Sequence, residues 1–142
     1  MITDALRSTG VLVTALLLLL LPSLPANAAT LQLKSASSNF GSALLELDSE
    51  AVPVAMTRIP FRLHLFDADG QPLSGAKVVC NMDMPSMTMP ENRPQVVPGD
   101  DAYLGEMIFT CTMGAWRISF DATHSDGRIQ RVTFYVEQVR LR

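Results

Sequence analysis

The chain has 142 residues, 48% of them hydrophobic, 6% aromatic and 18% charged, and carries a net charge of −3. That length supports one domain with a real hydrophobic core. With mild acidity, few aromatics and no basic run, nucleic acid is not an expected partner, and docking onto anionic lipid is disfavoured.

Residues 1–28 read as a signal peptide. MITDALR is followed by the apolar run Val11 to Leu21, and PSLPANA ends in Ala26-Asn27-Ala28, a small-residue cleavage pattern. The apolar run is about a dozen residues, short of the roughly 20 that span a membrane. Export to the periplasm or another extracytoplasmic compartment, with cleavage after Ala28, is the expectation. A membrane is involved only if the leader is retained. Residues 29–42 read as a linker with a weak strand at Leu31 to Lys34, and residues 43–142 as the folded domain.

Within that domain, short alternating runs recur between turn signals, and no helical period is sustained. Strands are expected over Ala43 to Asp48, Val52 to Met56 and Phe61 to Phe66, the last with Phe61, Leu63 and Leu65 on one face. DADGQ is expected to turn as a type I′ hairpin. Its likeness to the start of a calcium loop lacks the later acidic ligands. Ala76 to Met82 follows as a strand, then a segment carrying Pro85, Pro90, Pro94 and Pro98, too dense in proline for an interior strand. Tyr103 to Thr112 reads as the longest strand, with Met107, Phe109 and Cys111 on one side. Trp116 to Ala122 and Ile129 to Leu141 complete the set. About seven strands with turns every 8–12 residues describe an all-β, immunoglobulin-like sandwich of Greek-key type.

Cys80 and Cys111 are the only cysteines. An exported pair on core-facing strand positions is expected to form a disulfide, which would contribute about 3–4 kcal/mol by chain-entropy reasoning. Free thiols acting as metal ligands are the alternative. Trp116 reads as core filler.

Catalytic signatures are sparse, and an enzyme is not the expectation. There is no Gly-x-Ser-x-Gly, no Cys-x-x-Cys and no cysteine beside a histidine. His64 alternates onto the solvent side of its strand, and His124 precedes a turn and reads as exposed. A blue-copper centre needs a histidine shortly after its cysteine, but after Cys111 the next is His124, a strand later.

The unusual feature is CNMDMPSMTMPENRP, in which Met82, Met84, Met87 and Met89 account for half of the eight methionines. Thioethers are soft, neutral donors suited to Cu(I). Extended backbone would place Met82 with Met84 and Met87 with Met89, two pairs facing each other across a bend at Pro85-Ser86. Methionine also fills irregular core gaps and builds adaptable contact surfaces. Three readings therefore stand: a copper(I) site, packing of the sandwich end, and a partner-binding surface.

MPSMTMP, followed by YLGEMIFTCTMGAWRISF and preceded by FRLHLFDADGQPLSGAKV, resembles the YtkA-like domain family over about Ala43 to Val139. The motif falls on Met84, Pro85, Met87, Met89 and Pro90, then Tyr103, Met113, Gly114 and Trp116. The resemblance implies a small extracytoplasmic β-sandwich behind a signal peptide or anchor. Some relatives are associated with FixH-type proteins and copper-handling systems. On that basis the chain is expected to be an accessory copper(I)-handling protein. Its partner would be a periplasmic or membrane protein of a copper or cytochrome oxidase assembly pathway.

Overall fold

A computed structural model describes residues 29–142, so the expected leader lies outside the described residues. Nine strands form two antiparallel sheets that pack as a β-sandwich. They are β1 (Leu31–Lys34), β2 (Ser37–Ser38), β3 (Ser42–Leu47), β4 (Ile59–Phe66), β5 (Lys77–Asp83), β6 (Val97–Pro98), β7 (Tyr103–Met107), β8 (Trp116–Thr123) and β9 (Ile129–Val136). One sheet runs β1-β3-β4-β7-β6 and the other β2-β9-β8-β5. The chain thus changes sheets on entering and on leaving β2, between β4 and β5, between β5 and β6, and between β7 and β8.

Period-two alternation decides which residues meet between the sheets. Leu45, Leu47, Phe61, Leu63 and Leu65 face inward from one, and Ile118, Phe120, Val132 and Phe134 from the other. Phe61 meets Phe120 edge-on across the gap at 5.7 Å, and Phe120 meets Phe134 at 5.9 Å. Such aromatic pairs add about 0.5–1.5 kcal/mol each beyond the area they bury. The longest ladder is the β8–β9 hairpin, in register from Trp116 opposite Val136 to Thr123 opposite Ile129.

Three expected strands are corrected. Tyr103 to Thr112 ladders only as far as Met107, which sits opposite Ile59, the first residue of β4; beyond it the pairing gives way to a loop contact, Met56 N–H donating to Phe109 C=O (2.8 Å). Phe109 is nevertheless buried. Val52 to Met56 is not a strand. Pro53 offers no donor, and only Val54 makes an isolated bridge, to Arg140. The last strand stops at Val136 rather than Leu141.

The turns also differ in type. Gly70 N–H donates to Asp67 C=O (3.1 Å) and Gly127 N–H to His124 C=O (2.9 Å). In each turn only the closing glycine has positive φ, +79° and +86°. These are therefore not type I′ turns but ordinary turns closed by a left-handed glycine. The first does not join β4 to β5, which lie in different sheets; it makes a small bridge from Phe66 to Pro72 before the chain crosses over.

Candidate functional site

Strand directions sort the connections onto two ends of the sandwich. The turns at 67–76, 99–102 and 124–128 lie at one end. The connections 48–58, 84–96 and 108–115 lie at the other, which holds the methionine segment.

Cys80, Met82 and Met84 share the parity of β5, and that parity faces the core. Met82 and Met84 are each 1% exposed. Met84 starts a turn in which Met87 N–H donates to its C=O at 3.2 Å, with Pro85 and Ser86 at the centre. The expected proline-stiffened bend is therefore present, and proline at the first central position presets its φ. Past the bend, Met87 is 46% exposed and Met89 is partly buried against the core. The four expected donors do not converge outward: two line the interior, one points to solvent and one lies between.

The rest of the segment is held from both sides by Asn92, which the sequence reading missed. Its C=O accepts from Met82 N–H (2.8 Å) and its Nδ2 donates to Ile108 C=O (3.1 Å). One residue thereby ties the proline-rich loop to the edge of β5 and to the segment between β7 and β8.

That second segment faces the methionine turn. A Cβ placed on Gly114 would lie 3.1 Å from Ser86 Oγ and 3.4 Å from Met84 Cε, so the bare glycine is what lets the two loops touch. Met113, just before it, is 80% exposed. Cys111 is half-buried. Its C=O accepts from the Trp116 indole N–H at 2.9 Å, and its Sγ accepts from Met113 N–H at 3.4 Å. Trp116 itself is fully buried, edge-on to Phe109 at 5.5 Å, as expected for core filler.

The expected disulfide is not formed: both cysteines are free thiols. Cys80 lies mid-strand opposite Phe120, whereas Cys111 lies beyond the end of β7, in the loop at the methionine-bearing end. Burial pushes the Cys80 thiol up from its ordinary 9.0 to about 12, because an anion there would lose its water. Cys80 is thus a small core hydrophobe, not a ligand.

The histidines are both engaged. His64 is half-buried on the outer face, with Nε2 2.7 Å from Glu46 Oε1. His124, expected to be exposed, is buried instead, with Nε2 2.9 Å from Gln130 Oε1. The Gln130 amide in turn donates to Phe40 C=O (3.1 Å) and Phe66 C=O (3.3 Å). At that end Tyr103 OH accepts from Ala76 N–H (3.0 Å) and donates to Leu73 C=O (3.3 Å), securing the crossover into β5. A groove of about 310 Å³ lies beside it, lined in part by His64, Leu73, Pro98, Asp101 and Tyr103. Its imidazole and its phenol already have these partners.

Among the described residues, no three or more His, Cys, Asp or Glu side chains gather where they could hold a metal ion. Every methionine of the described residues, Met56, Met82, Met84, Met87, Met89, Met107 and Met113, sits in the half of the sandwich toward the 84–96 and 108–115 connections.

Fold and site together define an all-β sandwich with a sulfur-bearing end. Comparison with known proteins finds no matching family model, no matching curated protein and no matching solved structure.

Proposed function

We propose that this chain is an exported, non-enzymatic YtkA-like domain protein that handles copper(I). It would capture the ion at its sulfur-bearing end and pass it to a periplasmic or membrane protein of a copper or cytochrome oxidase assembly pathway. The observation that carries this reading is the segregation of all described methionines to one end, with Met87 exposed and Met89 partly buried on a loop stiffened by proline. Soft neutral sulfur suits a soft monovalent ion that takes few ligands, and weak thioether binding suits a carrier that must release its cargo. Met82 and Met84 line the floor beneath the loop rather than reaching the ion. The order β2-β9-β8-β5 against β4-β7-β6 supports the finer reading of an immunoglobulin-type Greek key.

The test is anaerobic Cu(I) titration against a bathocuproine-type chelator, comparing wild type with Met87→Leu/Met89→Leu. Leucine keeps the volume, so stability should change by less than about 1.5 kcal/mol. Copper affinity is expected to fall at least tenfold. Equal and poor competition by both proteins would end the copper role.

A second reading is favoured by the burial of Met82 and Met84. In it the methionine segment packs the end of the sandwich, and Met87 with Met113 forms an adaptable contact for a partner protein. A folded wild type that leaves the chelator's copper untouched would favour this one.

A further inference from the structure

The sequence-derived quartet leaves the copper reading short of donors, since only Met87 stands clear of the core. The facing loop supplies what is missing. Ser86 and Gly114 meet closely: a Cβ on Gly114 would lie 3.1 Å from Ser86 Oγ, so even a methyl there would press on that hydroxyl. Met87 and Met113 each follow or precede that contact by one residue, about 3.8 Å along the chain. Both are exposed, and methionine has three rotatable bonds with which to turn its sulfur toward the other. Cys111 sits two residues before Met113, its Sγ already accepting the Met113 N–H and its backbone held by the Trp116 indole.

We propose that Cys111, Met113 and Met87 form one Cu(I) site across the two loops, with Cys111 binding as thiolate. This inference rests on the copper reading above but replaces its donor set. Binding forms a copper–sulfur bond as the S–H bond breaks: Cys–SH and Cu⁺ give neutral Cys–S–Cu and one H⁺, which goes to the buffer. No oxidant or reductant is involved. Pairing the cation with one thiolate leaves no net charge, which suits a half-buried position better than a bare cation held by thioethers alone. Asn92 and Gly114 act as positioning residues, because they set the distance between the loops. Cys80, three residues before the end of β5 and buried, takes no part.

The test measures Cu(I) affinity by chelator competition, and proton release in weak buffer, for wild type, Cys111→Ser, Met113→Leu and Met82→Leu. The expected result is one proton released per copper by wild type and by Met82→Leu. Cys111→Ser should release none and bind at least tenfold more weakly, and Met113→Leu should bind more weakly while still releasing the proton. Copper binding by wild type without proton release would overturn this site yet leave a thioether-only capture standing. Unchanged affinity in Cys111→Ser and Met113→Leu would do the same. No competition by wild type would remove both. Proton release by wild type is read without any variant, so a Cys111→Ser protein that fails to fold does not protect the proposal.

Discussion

The two ends of this sandwich are built on different chemistry. At the end bearing the 67–76 and 124–128 turns, closure is polar and local. Asp67 Oδ1 accepts from the Asp69 and Gln71 N–H groups, and Asp126 Oδ1 accepts from Arg128 N–H, a bond that holds the Asp126 carboxyl below its usual range. Behind them the Gln130 amide, paired with His124, donates to part-buried carbonyls on two segments, Phe40 and Ser42 on one and Phe66 on the other. At the opposite end the connections are longer, and bonds that include those of Asn92, Trp116 and Met56 hold them over sulfur and aromatic side chains. Polar closure fixes one geometry, whereas thioether packing tolerates several. The copper role proposed above, in which an ion is admitted and released, would draw on the second kind.

That contrast is open to breaking. The largest effect is expected from Trp116→Ala. It removes the ring beside Phe109 and the donor to Cys111 C=O, and should destabilise by about 3–5 kcal/mol in urea unfolding. Gln130→Leu tests the polar end. It leaves His124 and two backbone carbonyls without their partner, and unfolding should detect a loss of about 1–3 kcal/mol. A loss below 0.5 kcal/mol, by order of magnitude, would mean the network does not hold that end.

The cysteines sharpen the comparison. Under native conditions without reductant, an alkylating agent should add one group, at Cys111, and two once the chain is unfolded. No mass increment after unfolding would restore a bridge. Alkaline stability reports on Cys80. Its folded pKa of about 12 lies above the ordinary 9.0, so the unfolded thiol ionises first. The stabilisation is full below pH 9 and is lost as pH rises toward 12. The slope, at most about 1.4 kcal/mol per pH unit, should disappear from the wild-type-minus-Cys80→Ala difference if Cys80 does not carry it. The smallest effect concerns Met56, whose backbone sits at φ +60° with its N–H bonded to Phe109 C=O. Met56→Gly relieves left-handed strain of about 1–2 kcal/mol against an added chain-entropy cost of about 0.5–1. Thermal unfolding should rise slightly or stay level; a clear fall would show that the Met56 side chain packs.

Much of the architecture was legible because alternation alone places side chains in a two-layer fold. Ala43 to Asp48, Phe61 to Phe66, Ala76 to Met82 and Trp116 to Ala122 all came within a residue or two of the observed strands. Alternation without a partner misled at Phe109 to Thr112, where inward parity continues but the neighbouring strand has not begun. The site was harder. Parity had already put Cys80 toward the core, and the same count carries Met82 and Met84 inward, so their burial was readable. Gly114 touching Ser86 was not, because it joins residues 28 positions apart through loops with no period. His124 was misjudged for a similar reason: its partner Gln130 lies across the hairpin, and a turn neighbour ordinarily faces water.

The bond from Met82 N–H to Asn92 C=O has one more consequence. β5 is the outermost strand of its sheet and β6 of the other, and the proline-bearing loop runs between them, hemming that flank. A bare flank would offer its rungs to a second molecule, whereas a border with four prolines offers few. The same loop that exposes Met87 therefore also guards against self-templated aggregation. Shortening it should produce oligomers even where copper no longer matters.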